Sequence, residues 1–260
     1  MRFSEAFIPT LKEAPADAVS ISHKLMVRAG MIRQATSGAY SYLPYGYAIV
    51  KNLKQIVREE MDRAGGQEFL LPALQPAEIW QRSGRLDDYG QDVFRFIDRH
   101  GHEMLLGPTH EEIITLIVAN EIRSWADLPK MFYQIQTKFR DEARPRFGVL
   151  RTREFTMKDL YSFDMDEAGL DVSYNKMFEA YCRIFDRIGV EYEPIATSET
   201  GAIGGSASHE FIVIAESGED RVLKCRACGH ASFPGEGQCA APVAIPKRKE
   251  CALKAVSTPG

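Results

Sequence analysis

The segment FRDEARPRFGVLRTREF, residues 139–155, carries five arginines (Arg140, Arg144, Arg146, Arg151, Arg153) in a chain whose formal net charge is −4. A guanidinium is planar, stays charged, and offers parallel N–H groups that match two oxygens of a phosphate or carboxylate. Arg140 stands at the end of one expected strand, and Arg151 and Arg153 begin the next. An antiparallel hairpin therefore aims several guanidiniums at one point. Glu142 and Glu154 lie among them as groups that orient arginines or accept hydrogen bonds from a nucleotide base or sugar. Phe155 offers a flat apolar face for stacking. The competing reading is a solvated, charge-rich hairpin, because exposed ion pairs are abundant and contribute only about 0–1 kcal/mol each. Charge and spacing alone leave the two readings open.

Further clusters carry potential chemistry. GPTHEE opens an expected helix, and a Thr109–Glu112 capping box would explain Thr109 without any ligand. Glu111 is not required by such a cap and is the more informative residue. Met157, Asp159 and Tyr161 alternate along the returning strand and so share one face; Met and Tyr there are ordinary core, but a buried Asp159 needs partners. GAIGGSASHEF packs small residues before His209 and Phe211, and small residues let a backbone approach a ligand closely. Cys225-x-x-Cys228 has the spacing of a zinc knuckle, with His230, Cys239 and Cys251 as further candidate ligands. A structural zinc site would show a second close pair, and none is visible, so the expectation is a knuckle-like turn that keeps its shape without metal.

The elements that must position these residues read as follows. Tyr45–Ala64 is an amphipathic helix with Ile49, Leu53, Ile56, Val57, Met61 and Ala64 at helical spacing, stopped by Gly65-Gly66. FLLPAL, residues 69–74, reads as a short strand with Pro72 at an edge or end. VFRFID and HEMLL flank Arg99-His100-Gly101 as a hairpin. MFYQIQTKF alternates, with Tyr133, Ile135, Thr137 and Phe139 on one face of a half-buried strand, and TREFTMKDLYSFD returns antiparallel to it. A helix over 166–188 follows, with Leu170, Met177, Phe178, Tyr181, Phe185 and Ile188 as its buried stripe. Two strands, EYEPIAT and HEFIVIAE, bracket the small-residue loop. Beyond Gly218 the chain turns rich in Cys, Pro, Gly and Ala. With no regular βαβ rhythm, the fold class is α+β: an antiparallel sheet flanked by helices, with a small C-terminal extension.

The 260 residues are 45% hydrophobic and 26% charged, enough for a sizeable core without the whole-surface basic field of a non-specific nucleic-acid binder. No run approaches the roughly 18 apolar residues of a membrane span, and the amino terminus lacks the apolar core of a secretory signal. Five cysteines, an odd count, argue against a disulfide framework. A cytoplasmic protein without a membrane partner is expected.

FRDE…RTREF, a strand ending in Phe-Arg-x-Glu, a variable loop, then Arg-x-x-x-Phe, resembles motif 2 of the class II aminoacyl-tRNA synthetases. GPTHEE, MKDLYSFD and GAIGGSASHEF are similar to segments of the bacterial-type prolyl-tRNA synthetases, and the 45–64 helix with FLLPAL resembles motif 1. The resemblance runs from near Phe3 to at least Glu216. It implies a ligase that joins proline to AMP from ATP, with Mg2+, and passes the prolyl group to the 3′ end of tRNA(Pro). Arg140 would bridge the α-phosphate and the proline carboxylate. Glu142 would hydrogen-bond the adenine, Phe155 stack on it, and Arg151 hold phosphates. Arg144 and Arg146 would touch the tRNA acceptor end. Thr109 and Glu111 would receive the two N–H donors of proline's ammonium. Met157, Asp159, Tyr161, His209 and Phe211 would wall the proline pocket, and motif 1 would form a homodimer interface.

The family's third motif, a Gly-rich strand and helix with an arginine for the γ-phosphate, is not found. The expectation is therefore a catalytic core over 1–217 and a small Cys-containing module over 218–260 leading toward an absent editing insertion, weak or inactive alone. Such an insertion has a rationale, because a pocket for proline discriminates against smaller alanine by only about 1–3 kcal/mol. Two alternatives stand beside this reading. One is a non-catalytic, synthetase-like binding or dimerisation paralogue. The other is a related enzyme charging a different acceptor.

Overall fold

The computed structural model describes residues 2–197, 205, 208–215, 218–235 and 253–258. The chain divides into two compact units, one through Ile184 and one from Phe185 onward. The first unit holds α1 (Ile21–Arg28), β1 (Ile32–Thr36), β2 (Ala39–Tyr42), α2 (Pro44–Arg63), β3 (Gln67–Glu68), β4 (Leu74–Pro76), α3 (Ala77–Ser83) and α4 (Arg85–Tyr89). It continues with β5 (Arg95–Ile97), β6 (Glu103–Leu106), α5 (Glu111–Glu121), β7 (Lys130–Phe139), β8 (Glu154–Phe163) and most of α6 (Glu167–Ile188). Helices and mainly antiparallel sheets are mixed irregularly along the chain, the α+β class read from the sequence.

The organising element is the β7–β8 hairpin, whose ladder runs unbroken from Lys130↔Phe163 to Phe139↔Glu154. Side chains alternate between faces along each strand, and residues directly opposite share a face. Phe132, Gln134, Gln136 and Lys138 therefore lie with Tyr161, Asp159, Met157 and Phe155, while Met131, Tyr133, Ile135 and Thr137 lie on the reverse. The reverse face is closed by helices. Tyr133 is buried and its hydroxyl donates to Asp62 Oδ1 of α2 at 2.6 Å, while Lys158 reaches Tyr181 of α6 at 2.7 Å. Glu60 of α2, fully buried, accepts from Arg63 at 3.0 Å and from Arg183 of α6 at 2.8 Å.

The front face departs from the expected pattern. The alternation predicts that the polar side of β7 faces solvent, yet Gln134 and Lys138 are completely buried. They are covered by the 69–73 segment and by α5, which pack Leu71, Ile113 and Ile114 with Phe69, Phe132, Tyr161 and Phe163. FLLPAL is accordingly not one strand: 69–73 runs between β3 and β4 outside any ladder, and its last residue, Leu74, begins β4. Pro72 has no N–H to give a ladder, and side-chain amides replace it there. Gln134 Oε1 accepts from the Leu71 N–H at 3.1 Å, and Gln136 Nε2 donates to the Leu71 carbonyl at 2.6 Å.

The β5–β6 hairpin forms as read, its turn held by Asp98 Oδ1, which accepts from the backbone of His100 at 2.8 Å and His102 at 2.9 Å. The strand order β4-β6-β5 backs a cluster of Ala77, Trp80, Leu86, Tyr89, Val93 and Leu105. The α6 stripe is rotated from the expected one: Ser173, Ala180 and Ile184 are buried, and Leu170 is 49% exposed. Small residues take the closest approach, and the larger side chains lie along its flanks. On α2, Ile49 and Leu53 are exposed whereas Met61 is buried, so the apolar stripe is covered only toward its C-terminal end.

The second unit takes in the last turn of α6, β9 (Tyr192–Thr197), β10 (Ser208–Val213), β11 (Asp220–Cys225), β12 (Ala231–Ser232) and β13 (Leu253–Thr258). β9 and β10 pair antiparallel, β12-β11-β13 form a second sheet, and Ile195, Val222 and Ala231 make its core.

One close approach fixes how the β1–β2 hairpin feeds α2. The Met31 carbonyl accepts from the Leu43 N–H at 2.8 Å, and a Cβ on Gly46 would stand 2.3 Å from that same oxygen. Alanine ordinarily stabilises a helix position relative to glycine by about 1 kcal/mol. Here we expect Gly46→Ala to destabilise the protein by about 1–3 kcal/mol through overpacking, read from denaturant unfolding. A stabilised variant would show that the contact is absent.

Candidate active site

The front face of β7–β8 ends in a polar network built around a buried ammonium. Lys138 Nζ lies 2.6 Å from His110 Nδ1, 3.1 Å from Asp159 Oδ2 and 3.0 Å from Asp159 Oδ1. Two hydrogen bonds and a carboxylate counter-charge thus hold the ammonium, while Asp159 Oδ1, close to it as an ion-pair contact, accepts no hydrogen bond among the described residues. Asp159 Oδ2 also accepts from Gln134 Nε2 at 2.9 Å and from the Tyr161 hydroxyl at 2.6 Å. His110 Nε2 stands 2.9 Å from the Pro72 carbonyl, which can only accept. The imidazole proton therefore sits on Nε2, leaving Nδ1 to receive the lysine. Burial, and then the Lys138 charge, pushes His110 down to about 4, so the ring is neutral. Burial likewise lowers Lys138, opposed by the Asp159 carboxylate, and raises Tyr161, which stays a phenol.

This network fixes the Thr-His-Glu segment by its middle residue. The His110 ring is held on both nitrogens and its backbone N–H donates to Tyr161 Oη at 3.1 Å, while Gln75 Nε2 donates to the Thr109 carbonyl at 3.0 Å. The expected Thr109–Glu112 capping box does not form. α5 starts at Glu111 with His110 as its uncapped N-cap, and the Thr109 hydroxyl donates instead to Glu111 Oε2 at 2.5 Å. Glu112 is taken by Ser83 Oγ at 3.0 Å and Arg85 Nη1 at 2.9 Å, which is why it cannot reach back to the cap.

At the outer end of the hairpin, the Arg140 backbone N–H donates to the Arg153 carbonyl at 2.9 Å, extending the ladder by one residue. Its guanidinium lies 5.5 Å from the centroid of the Phe155 ring. Glu142 is fully engaged: Oε1 accepts the Arg144 backbone N–H at 2.9 Å and Oε2 accepts Arg151 Nε at 2.8 Å. These two bonds hold its carboxyl below the usual range. Arg153 pairs with Asp141 and lies 4.9 Å from the Phe94 ring. In the connecting loop the Arg146 N–H donates to the Arg151 carbonyl at 3.1 Å, and Arg144 is exposed. Gly148, at φ 66, rests against His23, where a Cβ would come within 2.9 Å of the ring.

The structure thus brings Thr109, Glu111, Asp159 and Tyr161 together, with Met157 on the same face and Arg140 with Phe155 at its end. His209 and Phe211 lie in β10 of the second unit, where the Phe211 ring stacks on Phe185 at 5.4 Å and meets Tyr192 at 5.7 Å. The 198–204 and 206–207 parts of the small-residue loop lie outside the described residues, as do Cys239 and Cys251. The Cys225–Cys228 turn is closed by Cys225 N–H to the His230 carbonyl at 2.8 Å and Gly229 N–H to the Cys225 carbonyl at 2.9 Å. Among the described residues, no three His, Cys, Asp or Glu side chains group to hold a metal, and no helix is long and apolar enough to cross a membrane.

Sequence reading misses Lys138, His110, Gln134 and Arg85. The signal for Lys138 was a cation facing Asp159 on the same side of a β-hairpin, a pairing that register alone reveals.

Residues 94–241 match the tRNA synthetase class II core domain (G, H, P, S and T). The chain is 59% identical over 232 residues to the proline–tRNA ligase of Syntrophus aciditrophicus, covering 89% of this chain and 40% of that one. It is 54% identical over 260 residues to the proline–tRNA ligase of Solidesulfovibrio magneticus, covering 100% and 45%. The chain thus spans less than half the length of these relatives. A Giardia lamblia prolyl-tRNA synthetase in complex with prolyl-adenylate has the same fold, with a TM-score of 0.69 at 19% identity over 73% of this chain and 39% of that one.

The buried imidazole makes stability depend on acid. His110 binds its proton near 6.5 when unfolded and only near 4 when folded, so the unfolded state gains protons first as pH falls. Its contribution is fully present above pH 6.5 and is lost toward pH 4 by up to about 3 kcal/mol. Denaturant midpoints measured across that window should flatten in His110→Asn relative to wild type; parallel profiles would exclude the assignment.

Proposed function

Because the chain belongs to the class II tRNA synthetase core family, we propose that it is the amino-terminal catalytic part of a proline–tRNA ligase. On this reading residues 1–217 form the core, and 218–260 form a small module leading toward an editing insertion. The observation that carries the reading is the shared face of β7–β8. A hydroxyl and a carboxylate, Thr109 and Glu111, stand at its inner end, and a guanidinium lying over an aromatic ring, Arg140 and Phe155, stands at its outer end.

That arrangement suits the chemistry. Proline's ammonium has two N–H donors, and Thr109 and Glu111 are its acceptors, with Glu111 supplying the counter-charge. Met157, Asp159 and Tyr161 form the floor under the ring. The proline carboxylate is already a nucleophile, so adenylate formation needs alignment and charge stabilisation rather than a strong base. A carboxylate oxygen attacks the α-phosphorus of ATP, a new P–O bond forms, and the bond to the bridging oxygen breaks with that electron pair leaving on pyrophosphate. Arg140 spans the carboxylate and the α-phosphate with its two-point fork. Phe155 stacks on the adenine, Glu142 receives its amino group, and Arg151 holds phosphate oxygens. For Arg151 to do so, its pairing with Glu142 must open or be shared. Mg2+ would arrive on the nucleotide's phosphates and neutralise their charge. In the second step the 3′-terminal hydroxyl of tRNA(Pro) attacks the prolyl carbonyl and AMP leaves, with Arg144 and Arg146 of the loop against the acceptor end.

The half-covered stripe of α2, with Ile49 and Leu53 exposed, supports a homodimer through that helix and the 69–74 segment. The alternative of a non-catalytic paralogue is disfavoured by the presence together of Arg140, Glu111 and Phe155, the groups that activation of proline would use.

Arg140→Lys keeps the charge and loses the fork. In the full-length enzyme we expect proline-dependent ATP–pyrophosphate exchange to fall by about a hundredfold while the unfolding midpoint stays unchanged. Exchange within threefold of wild type would remove Arg140 from this role.

A further inference from the structure

Arg85 has no part in the adenylation scheme, yet it is the residue on which Glu111 rests. It opens α4 directly after Gly84, and its guanidinium is packed between Trp80 and Tyr89, 5.5 Å from each ring centroid. The rings are themselves fixed: Trp80 Nε1 donates to Gln75 Oε1 at 2.7 Å, and Gln75 is tied to the Thr109 carbonyl. A single nitrogen, Nη1, donates to Glu112 Oε1 at 2.9 Å and to Glu111 Oε2 at 3.2 Å. Glu112 is almost wholly buried and braced by Ser83, so it anchors the arginine, and the arginine anchors Glu111. Glu111 Oε2 receives both Arg85 and Thr109, whereas Oε1 accepts no hydrogen bond among the described residues, and the side chain is 30% exposed.

The charges at the amine end of the site do not cancel. Arg140, whose charge reaches Lys138 and Tyr89, is given to the substrate's carboxylate and phosphate on the proposed function, which leaves two cations, Arg85 and Lys138, facing three carboxylates, Glu111, Glu112 and Asp159, with His110 neutral. One negative charge is left over in a site poorly exposed to water, where an uncompensated charge is expensive. A ligand with one positive charge completes the set. Without Arg85, the adjacent Glu111 and Glu112 would repel, and one of them would take up a proton.

We propose that Arg85 is a positioning residue that holds Glu111 by one oxygen, leaves the other for the substrate amine, and limits the excess negative charge at the amine end to one, so that the site selects a protonated secondary amine over a neutral ring of the same shape. The inference rests on the proposed function and names what enforces the amine's recognition.

The test is a calorimetric titration of L-proline, its oxygen analogue tetrahydrofuran-2-carboxylate, and ATP into wild type, Arg85→Lys, Arg85→Met and Glu112→Gln. Wild type is expected to prefer proline over the oxygen analogue by about a hundredfold or more. Arg85→Met should weaken proline by about tenfold or more, leave ATP within twofold, and shrink the preference to a few-fold. Arg85→Lys, which keeps the cation, should retain most of the preference. Glu112→Gln removes the excess charge without emptying the space between the rings and should weaken proline several-fold with ATP unchanged. Proline affinity unchanged in Arg85→Met, or lost there in parallel with ATP affinity, overturns the proposal. If Arg85→Met does not fold, an unchanged proline affinity in Glu112→Gln overturns it equally. A wild type that binds proline no better than the oxygen analogue removes the proposed function itself, a result distinguishable from failure of Arg85's part in it.

Discussion

The ammonium of Lys138, fully buried near the turn end of the β7–β8 hairpin, is the constraint around which the first unit is arranged. A charge in that position needs a counter-charge and hydrogen-bond acceptors, and no single element supplies them. Asp159 comes from the opposite strand and His110 from the segment before α5. His110 can accept only because Pro72, from a third segment, receives its other ring proton. Satisfying one lysine therefore brings a strand, a helix start and an irregular crossing segment to one place. Buried ion pairs of this kind contribute little net stability, because desolvation offsets their attraction. They do make alternative arrangements costly, since any displacement leaves a charge without a partner.

That geometry explains which parts of the fold were legible beforehand. The two long strands, the charged turn between them, the β5–β6 hairpin and the long helices each announce themselves through local period or turn chemistry. The buried polar face does not. Alternation places Gln134 and Lys138 opposite the apolar side of β7, and polar residues opposite apolar ones ordinarily face solvent. The 69–73 segment and α5 bury them, and 69–73 lies there because its own backbone takes the amides of Gln134 and Gln136. The error in reading FLLPAL as a strand and the error in reading β7 as half-solvated thus have one cause: side chains of the sheet act as hydrogen-bond partners for a backbone that Pro72 excludes from the ladder.

The same reasoning separates the residues of the Thr-His-Glu segment. A local reading gives Thr109 and Glu112 to a helix cap and leaves His110 without a role. In the fold the assignments shift by position: Thr109 turns to Glu111, Glu112 turns to Arg85 and Ser83, and His110 carries the load of attachment. Short-range capping loses to longer-range charge pairing because a buried guanidinium has a stronger claim on a carboxylate than a backbone N–H that can be capped in other ways. Arg85 was invisible for a related reason. Its partners are 26 and 27 residues away, and its packing between Trp80 and Tyr89 depends on the turn at Gly84.

The two ends of the front face also differ in how they are prepared for a ligand. At the inner end the acceptors are fixed by buried partners that a ligand has no reason to disturb. At the outer end the arginines are engaged with carboxylates of their own hairpin, Arg151 with Glu142 and Arg153 with Asp141, on side chains that remain partly open to water. Exposed pairs of that kind are worth about 0–1 kcal/mol and exchange readily for a phosphate, whose charge is greater and whose oxygens fit the same fork. On the proposed function, a rigid site for a small cation beside an exchangeable one for a polyanion would match the order of demands in amino-acid activation. The amino acid differs from its competitors by a few atoms and must be recognised by fixed geometry, whereas the nucleotide is recognised by charge and flat apolar surface, which tolerate adjustment. On the proposed function, the arginine-rich hairpin is a surface hairpin by its pairing that would serve as a polyanion site by its placement, and the buried lysine at its root holds that placement.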